Sequence, residues 1–329
     1  MKKVIASAFI LCFLLVSKSS FAQTSNPEKY KYDFVVAKDG SGDYKYIQDA
    51  IDAMRVFPLA PITLFIKDGI YTEKVELSIN NTDVTFIGES VDKTIITLND
   101  YSGRGKYIGT FNSQTVKISG NRFKAENITF ENSAGAVGQA VALNVDADQA
   151  VFKNCKFLGN QDTIYLGGEY SRQLFMDCYI EGTTDFIFGP ATAIFKNCTI
   201  HCKSNSYITA PNTTKDKAFG FVFLYCKVTT ADNVDKLYLG RPWRAWAKSV
   251  FIRCELPKAI APEGWHNWGN PENEKTAFFA EYNCTGDGND PKERVKWTHQ
   301  LTDKEAKSYN LDTIFTATYN HNTPVNFNK

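Results

Sequence analysis

Short apolar runs, rich in β-branched and aromatic residues, alternate with turns of Asn, Asp and Gly from about residue 62 to residue 284. Within residues 128–189 these runs recur on a period of 23 residues, as at 128–132, 151–155 and 174–178. A strand–helix–strand unit needs about 30 residues, whereas one coil of a β-solenoid fits this period. The pattern therefore predicts an all-β protein, a right-handed parallel β-helix.

One column of this repeat contains two aspartates and a glutamine. The alignment places Gln139, Asp162 and Asp185 in the same register, each followed by an apolar run. Neighbouring coils of a solenoid pair as strands about 4.8 Å apart. The three side chains are therefore expected on adjacent coils, close enough to act on one substrate atom.

The two ends of the chain differ from this pattern. Residues 47–54 have apolar positions at helical spacing, which predicts a short helix that caps the first coil. Thr302 and Glu305 form a capping-box pattern, which predicts a short C-terminal helix on the flank of the solenoid. No Pro/Ser-rich linker interrupts the sequence, so residues 23–329 are expected to form one domain.

Residues 1–22 resemble a secretory signal. Lys2 and Lys3 precede a short apolar run, and small residues follow it at a cleavage position. The run is too short to span a membrane. We therefore expect an exported protein, either periplasmic or secreted.

Charge and histidine placement narrow the classes of function. Residues 1–22 contain three of the 37 basic residues and none of the 36 acidic ones, so the mature chain has a formal charge near −2. That balance does not favour nucleic acid or an anionic membrane as a partner. The four histidines lack the spacing of a metal site, and no metal is expected.

Seven of the eight cysteines follow residue 22. Five of them are predicted on one apolar face, as an inward ladder: Cys155, Cys178, Cys198, Cys226 and Cys254. Adjacent coils are within the separation that a disulfide requires, and an exported protein meets an oxidant, so a pair such as Cys178 with Cys198 is one interpretation. Buried thiols that fill the core are the other.

The column suggests acid–base and nucleophilic chemistry. Two adjacent aspartates titrate in separate steps, which supplies a carboxylate nucleophile and a general acid. Gln139 and Gln161 add amide donors for an oxyanion, and Arg241 is the best candidate for the cation that keeps the nucleophile charged. The alternative is a ladder of turn residues that satisfy backbone donors.

Aromatic residues near the acids are candidates for binding sugar faces, although each alone is more often a packing residue. They are Tyr165, Phe186, Phe188, Trp243 and Trp265.

Five segments, in order, resemble the motifs of the pectin methylesterase family. They are residues 69–73, 139–143, 161–165, 182–189 and 239–243, and the resemblance extends from about Tyr32 to Phe315. The family implies hydrolysis of methyl esters in homogalacturonan, without a cofactor, by an enzyme that we expect to be a monomer.

The resemblance also implies roles for individual residues. Asp185 corresponds to the nucleophile and Asp162 to the general acid and base. Gln139 and Gln161 would stabilise the oxyanion, and Arg241 would orient Asp185. Trp243 and Trp265 would line the sugar groove, and Thr110 would contact the substrate. With Tyr165 and Phe186 from the aromatic residues near the acids, these are the expected substrate contacts.

Other classes of protein are compatible with part of these residues. Two carboxylates about 5 Å apart also suit a retaining glycosidase, and a non-catalytic polysaccharide-binding solenoid would need only the aromatics. The paired glutamines favour an ester oxyanion over a glycosidase. A lyase is disfavoured because no acidic calcium-ligand cluster is present, and a serine esterase because no G-x-S-x-G motif is.

Overall fold

The computed structural model describes residues 32–317, so the predicted signal segment lies outside the described residues. The strands are, in chain order, β1 (Phe34–Val36), β2 (Ile62–Ile66), β3 (Gly69–Thr72), β4 (Val75–Leu77), β5 (Val84–Gly88), β6 (Thr94–Leu98), β7 (Val116–Ile118), β8 (Lys124–Glu126), β9 (Thr129–Asn132), β10 (Leu143–Val145), β11 (Ala150–Lys153), β12 (Lys156–Leu158), β13 (Ile164–Leu166), β14 (Arg172–Met176), β15 (Tyr179–Gly182), β16 (Ile187–Gly189), β17 (Thr192–Lys196), β18 (Thr199–Cys202), β19 (Tyr207–Pro211), β20 (Phe221–Leu224), β21 (Lys227–Thr230), β22 (Tyr238–Gly240), β23 (Lys248–Ile252), β24 (Phe278–Tyr282) and β25 (His299–Gln300). The helices are α1 (Ile47–Asp52), α2 (Asp303–Ala306) and α3 (Leu311–Ala317).

The strands form three parallel sheets. Sheet 1 has the order β1-β2-β5-β8-β11-β14-β17-β20-β23-β24-β25, sheet 2 the order β3-β6-β9-β12-β15-β18-β21, and sheet 3 the order β4-β7-β10-β13-β16-β19-β22. From β2 to β22 the chain passes through sheets 1, 2 and 3 in turn, so each circuit is one coil. This is the predicted parallel β-helix.

The coils differ in length, so one part of the alignment predicted from the 23-residue repeat is wrong. Val151 pairs with Leu174, at the predicted offset. Its partner on the preceding coil is Lys124, which lies further away along the chain than Leu174 does. The predicted equivalence of residues 128–132 with 151–155 is wrong, because β9 belongs to sheet 2 and β11 to sheet 1. The two segments have the same apolar alternation, so periodicity alone does not separate them.

Phenylalanine rings stack along the core of the solenoid. Successive ring centroids lie 4.8, 4.9, 4.6 and 4.3 Å apart in a ladder of Phe152, Phe175, Phe195, Phe223 and Phe251. All five are fully buried. Because in-register strands repeat the same inward position on each coil, one residue type can stack upon itself.

The predicted cysteine ladder lies inside the core as free, buried thiols. Cys284 extends it by one coil, and Cys202 is buried separately. The thiol of Cys178, for example, donates to the carbonyl of Phe152 on the preceding coil at 3.5 Å. These cysteines therefore act as small core residues, the second of the two interpretations.

Helices pack at the N-terminal end of the solenoid and on its flank. In α1 the side chains of Ile47, Ala50 and Ile51 are buried, and the helix ends two residues before the predicted limit. The capping box of Thr302 and Glu305 opens α2, as predicted. Ile314 and Phe315 of α3 then pack on the outer face of sheet 1. Among the described residues, no helix is long and apolar enough to cross a membrane.

Candidate active site

Asp162 and Asp185 lie on adjacent coils, each two residues before a strand of sheet 3. Their strands are in register, since Ile164 pairs with Ile187. Both aspartates have left-handed backbone conformations, with φ of +64° and +49°. Among residues other than glycine, short polar ones adopt this conformation most readily, and residues held in it cluster at functional sites. The backbone thus departs from the strand alternation where the two carboxyl groups are presented.

Gln139 does not lie in the column predicted for it. It forms an isolated parallel bridge with Gln161. On this coil Leu143 pairs with Ile164, a shorter offset along the chain than the one that joins Ile164 to Ile187 on the next coil. The two glutamines are therefore neighbours on adjacent coils, one position before Asp162.

One cavity of about 240 Å³ brings the five predicted catalytic residues together. It is lined by Thr110, Phe111, Gln139, Gln161, Asp162, Asp185, Phe188, Ala210, Arg241, Trp243 and Trp268. A larger cavity of about 540 Å³ near Asp235 and Asp290 is lined by none of the predicted catalytic residues. We therefore place the candidate active site in the smaller cavity.

Arg241 is held by two hydrogen bonds and two aromatic rings. Its Nε donates to Oδ1 of Asp185 at 2.9 Å, and its Nη2 donates to Oδ2 at 2.6 Å. The ring of Tyr207 lies 4.0 Å from the guanidinium carbon, and the ring of Trp268 lies 3.8 Å from it. A planar two-donor fork beside aromatic faces sets the direction of the Asp185 carboxylate.

The two carboxyl groups have different electrostatic surroundings. Burial, and then the charge of Asp185, raise the pKa of Asp162 from 3.8 to about 8, against a smaller opposing effect of Arg241. Burial also raises the pKa of Asp185, but the hydrogen bonds and the charge of Arg241 oppose that rise. At neutral pH the pair therefore provides a protonated Asp162 beside an Asp185 whose ionised form is stabilised.

Two of the predicted substrate contacts are wrong. Trp265 is 1% exposed and lies in the core, where its Nε1–H donates to Oε1 of Glu281 at 3.1 Å. Phe186 is fully buried in the core. The aromatic side chain that lines the cavity from that coil is Phe188, two residues later. A buried indole whose N–H already has a hydrogen-bond partner in the core is not available to bind a sugar.

The other predicted contacts lie at or beside the cavity. Thr110 and Trp243 line it directly. Tyr165 packs against two lining rings, with centroids 4.9 Å from Phe111 and 5.0 Å from Phe188.

Sequence reasoning missed Phe111 and Trp268. Both line the cavity, and they are 51% and 37% exposed. Each lies outside the named strands, where no periodicity marks its direction. The available signal was their position in sequence, since Phe111 directly follows the predicted contact Thr110 and Trp268 lies three residues after the predicted contact Trp265.

No group of three or more His, Cys, Asp or Glu residues in the described part of the chain is arranged to bind a metal ion. The groups that the cavity itself offers for chemistry are carboxyl, amide and guanidinium groups.

Comparisons with known proteins agree with this geometry. The family model for Pectinesterase matches residues 33–318. Pectinesterase 31 of Arabidopsis thaliana is 43% identical over 281 residues, which cover 82% of this chain and 88% of that protein. Probable pectinesterase/pectinesterase inhibitor 58 of the same plant is 40% identical, over 84% of this chain but only 50% of its own length.

Solved structures of pectin methylesterases are also similar to this chain. A pectin methylesterase from carrot has a TM-score of 0.83 and 33% identity, covering 87% of this chain and 93% of that one. Pectin methylesterase PemA from Erwinia chrysanthemi has a TM-score of 0.76 and 29% identity, covering 86% and 97%. The matched family model and the relatives above 30% identity show that this chain belongs to the pectinesterase family of carboxylic ester hydrolases.

Proposed function

We propose that this protein hydrolyses methyl esters of galacturonate units in homogalacturonan, releasing methanol, through an acyl-enzyme on Asp185. The observation that supports this most directly is the pairing of Asp185 with Arg241 beside a buried Asp162 whose pKa is raised to about 8. One cavity then contains a charged nucleophile and a protonated acid.

In the first half of the reaction, an oxygen of Asp185 attacks the ester carbonyl carbon. Each carboxylate oxygen has two lone pairs, so Asp185 can attack while it accepts from Arg241. Negative charge develops on the carbonyl oxygen, where the side-chain amides of Gln139 and Gln161 would stabilise it. Asp162 gives its proton to the departing methoxide, and methanol leaves.

In the second half, Asp162 is ionised and acts as a base. It removes a proton from water, and the resulting hydroxide attacks the acyl-enzyme carbonyl. Asp185 leaves as a carboxylate, and its charge is again stabilised by Arg241. Asp162 has regained its proton, so both groups return to their initial states.

The aromatic residues at the rim of the cavity favour a polysaccharide as the substrate. Phe111, Trp243 and Trp268 present partly exposed rings, of the kind that pack on sugar faces, and Thr110 lies among them. Two solved structures of pectin methylesterase, at 30% identity, are complexes with hexasaccharides. We propose methyl-esterified homogalacturonan as the substrate and the Thr110 hydroxyl as a contact to it.

Two alternatives predict different products. A β-helix glycosidase would use the same carboxyl pair to produce new reducing ends. A non-catalytic binding solenoid would not need the Arg241–Asp185 pair or an Asp162 kept protonated. The paired glutamines beside the acids favour the esterase, since an oxocarbenium ion gains nothing from amide donors.

We also propose that residues 1–22 direct export to the periplasm or the medium, and that residues 23–329 form one monomeric catalytic domain. Mass spectrometry of the exported protein checks the cleavage position, and light scattering checks the molar mass.

The function is tested with highly methylated homogalacturonan by measuring methanol, reducing ends and unsaturated products in parallel. We expect methanol alone. Asp185→Asn and Asp162→Asn are each expected to lower methanol release by about 10²-fold or more, because they remove the nucleophile and the proton transfer.

Asp177→Asn is the matched control. Asp177 also has a left-handed conformation, with φ of +54°, but lies exposed on the far side of its coil, where its carboxylate accepts from Asn197. Wild-type rates in Asp185→Asn, or new reducing ends in place of methanol, would contradict the proposal.

A further inference from the structure

Trp268 is held over Arg241 in a conformation that its side chain does not favour. Its φ is +62°, in the left-handed region that bulky residues rarely adopt. Such a conformation persists only where the surrounding contacts impose it. Its ring lies 3.8 Å from the Arg241 guanidinium carbon, so this strained residue packs directly against the guanidinium group.

His266 supplies the contact that fixes the Trp268 backbone. The backbone N–H of Trp268 donates to Nδ1 of His266 at 3.0 Å. Nδ1 accepts only when the imidazole is neutral and its proton is on Nε2. The ring itself is packed, with centroids 5.4 Å from Tyr207 and 5.7 Å from Tyr238.

We propose that His266 is a positioning residue for the esterase reaction: its neutral imidazole fixes Trp268 over Arg241 and so the direction of Arg241 toward Asp185. Tyr207 connects the two halves of this arrangement, because it contacts the guanidinium on one side and His266 on another. The inference rests on the proposed function for its catalytic consequence, but its structural part does not.

The surroundings of His266 favour the neutral form. Burial, and then the charge of Arg241, lower the pKa of His266 below 6.5. The titratable groups packed against it are Tyr238 of β22, Arg241 directly after that strand, and Tyr207 of β19. As the pH falls through this pKa, a proton on Nδ1 removes the acceptor and adds positive charge beside Arg241. We therefore expect protonation of His266 to contribute to a loss of activity in acid.

The neighbouring loop shows which substitution preserves the acceptor. Oδ1 of Asn267 accepts from the N–H of Gly269 at 2.8 Å, and Oδ1 of Asn270 accepts from Glu272 at 3.1 Å. Both have the same two-residue spacing as His266 and Trp268, and asparagine forms such turns readily. His266→Asn thus keeps an acceptor that does not titrate, whereas His266→Leu removes it.

Kinetics test the catalytic part. We expect His266→Leu to lower kcat about 3- to 10-fold at pH 7, the effect of one neutral hydrogen bond, with less change in KM. His266→Asn is expected to stay within about twofold of wild type at pH 7 and to lose less activity on acidification. The activity that His266→Asn still loses on acidification is expected to come from protonation of Asp185. An unchanged kcat in His266→Leu would overturn the proposal.

His201→Asn is the matched control. His201 is a half-buried histidine on β18, and its Nδ1 lies 3.0 Å from the Thr229 hydroxyl, away from the cavity. Its substitution is expected to leave kcat and the pH profile unchanged. An effect equal to that of His266→Leu would show a general loss of stability and contradict positioning.

A nuclear magnetic resonance experiment tests the structural part without catalysis. The chain has five tryptophans, so ¹⁵N-tryptophan labelling gives few backbone amides, and Trp268→Phe identifies the one from Trp268. We expect this resonance to shift as His266 titrates below pH 6.5 and to lose that shift in His266→Asn. Equal pH dependence in both proteins would overturn the positioning role, whereas absent methanol release would contradict only the function.

Discussion

At the scale of single residues, the shape of Arg241 matters as well as its charge. It makes two hydrogen bonds to Asp185 and lies beside two rings. Arg241→Lys keeps the charge but loses the planar fork. We expect kcat for methanol release to fall by about 10²-fold, with polymer binding largely retained, because nucleophile orientation is lost. Binding is measured with the same variant on a pectin affinity gel, and an unchanged kcat would show that Arg241 only lines the groove.

Asp162 should cost stability where it serves catalysis. Its pKa rises from 3.8 to about 8 in the folded protein, because of burial first and the charge of Asp185 second. Between these values the folded state keeps a proton that the unfolded state has lost, so the free energy of unfolding falls as the pH rises.

Asp162→Asn removes this dependence. We expect the variant to be more stable than wild type at pH 8 by on the order of 1 kcal/mol or more, about 2–4 °C in Tm, and to lose that advantage near pH 4. Thermal melts at both pH values measure it. If Asp162→Asn were instead less stable than wild type at pH 8 and not at pH 4, Asp162 would be ionised in the folded state.

At the scale of elements, one family motif proves to be structural. None of residues 69–73 lines the cavity. Both carboxylate oxygens of Glu73 accept backbone N–H groups at the start of α1, from Ile47 and Gln48. Tyr71 of the same motif is buried, and its hydroxyl donates to the carbonyl of Lys67. This motif therefore joins the cap helix to the first coil, a role that resemblance alone did not indicate.

The phenylalanine ladder should be the main source of cohesion between coils. Phe195 stacks on Phe175 at 4.9 Å and on Phe223 at 4.6 Å, with no exposure. Phe195→Ala is expected to lower the free energy of unfolding by about 3–5 kcal/mol, since it leaves a cavity and removes two ring contacts. Denaturant unfolding measures this. Phe111→Ala, at an exposed rim position, is the control and should change stability by less than about 1 kcal/mol.

At the scale of the whole molecule, the solenoid is stabilised without cross-links among its described cysteines. The seven thiols there are free and buried, and burial raises the pKa of Cys202. We expect dithiothreitol to leave Tm unchanged, and a thiol reagent to react with these groups only after unfolding. A lower Tm in reductant would show that a pair such as Cys178 and Cys198 had been oxidised.

The repeat in the sequence determined the solenoid, the inward cysteine face and the adjacency of Asp162 and Asp185. Strand alternation and the number of residues between these two aspartates can be read directly from the sequence. The same reading gave the wrong register for Gln139, because Leu143 pairs with Ile164 at a shorter offset than the repeat predicts. A solenoid can change the length of its turns without changing its strands, so periodicity does not determine every register.

Only the tertiary structure decided which aromatic residues face the cavity. Trp265 and Trp268 are close in sequence, yet Trp265 is buried against Glu281 while Trp268 lies over Arg241. The difference comes from a loop in which Trp268 takes a φ of +62° that no sequence pattern marks. The raised pKa of Asp162 likewise depends on burial that only the folded chain creates, and on the charge of Asp185 on the next coil. The sequence thus determined which chemical groups were available, and packing decided their direction and their charge.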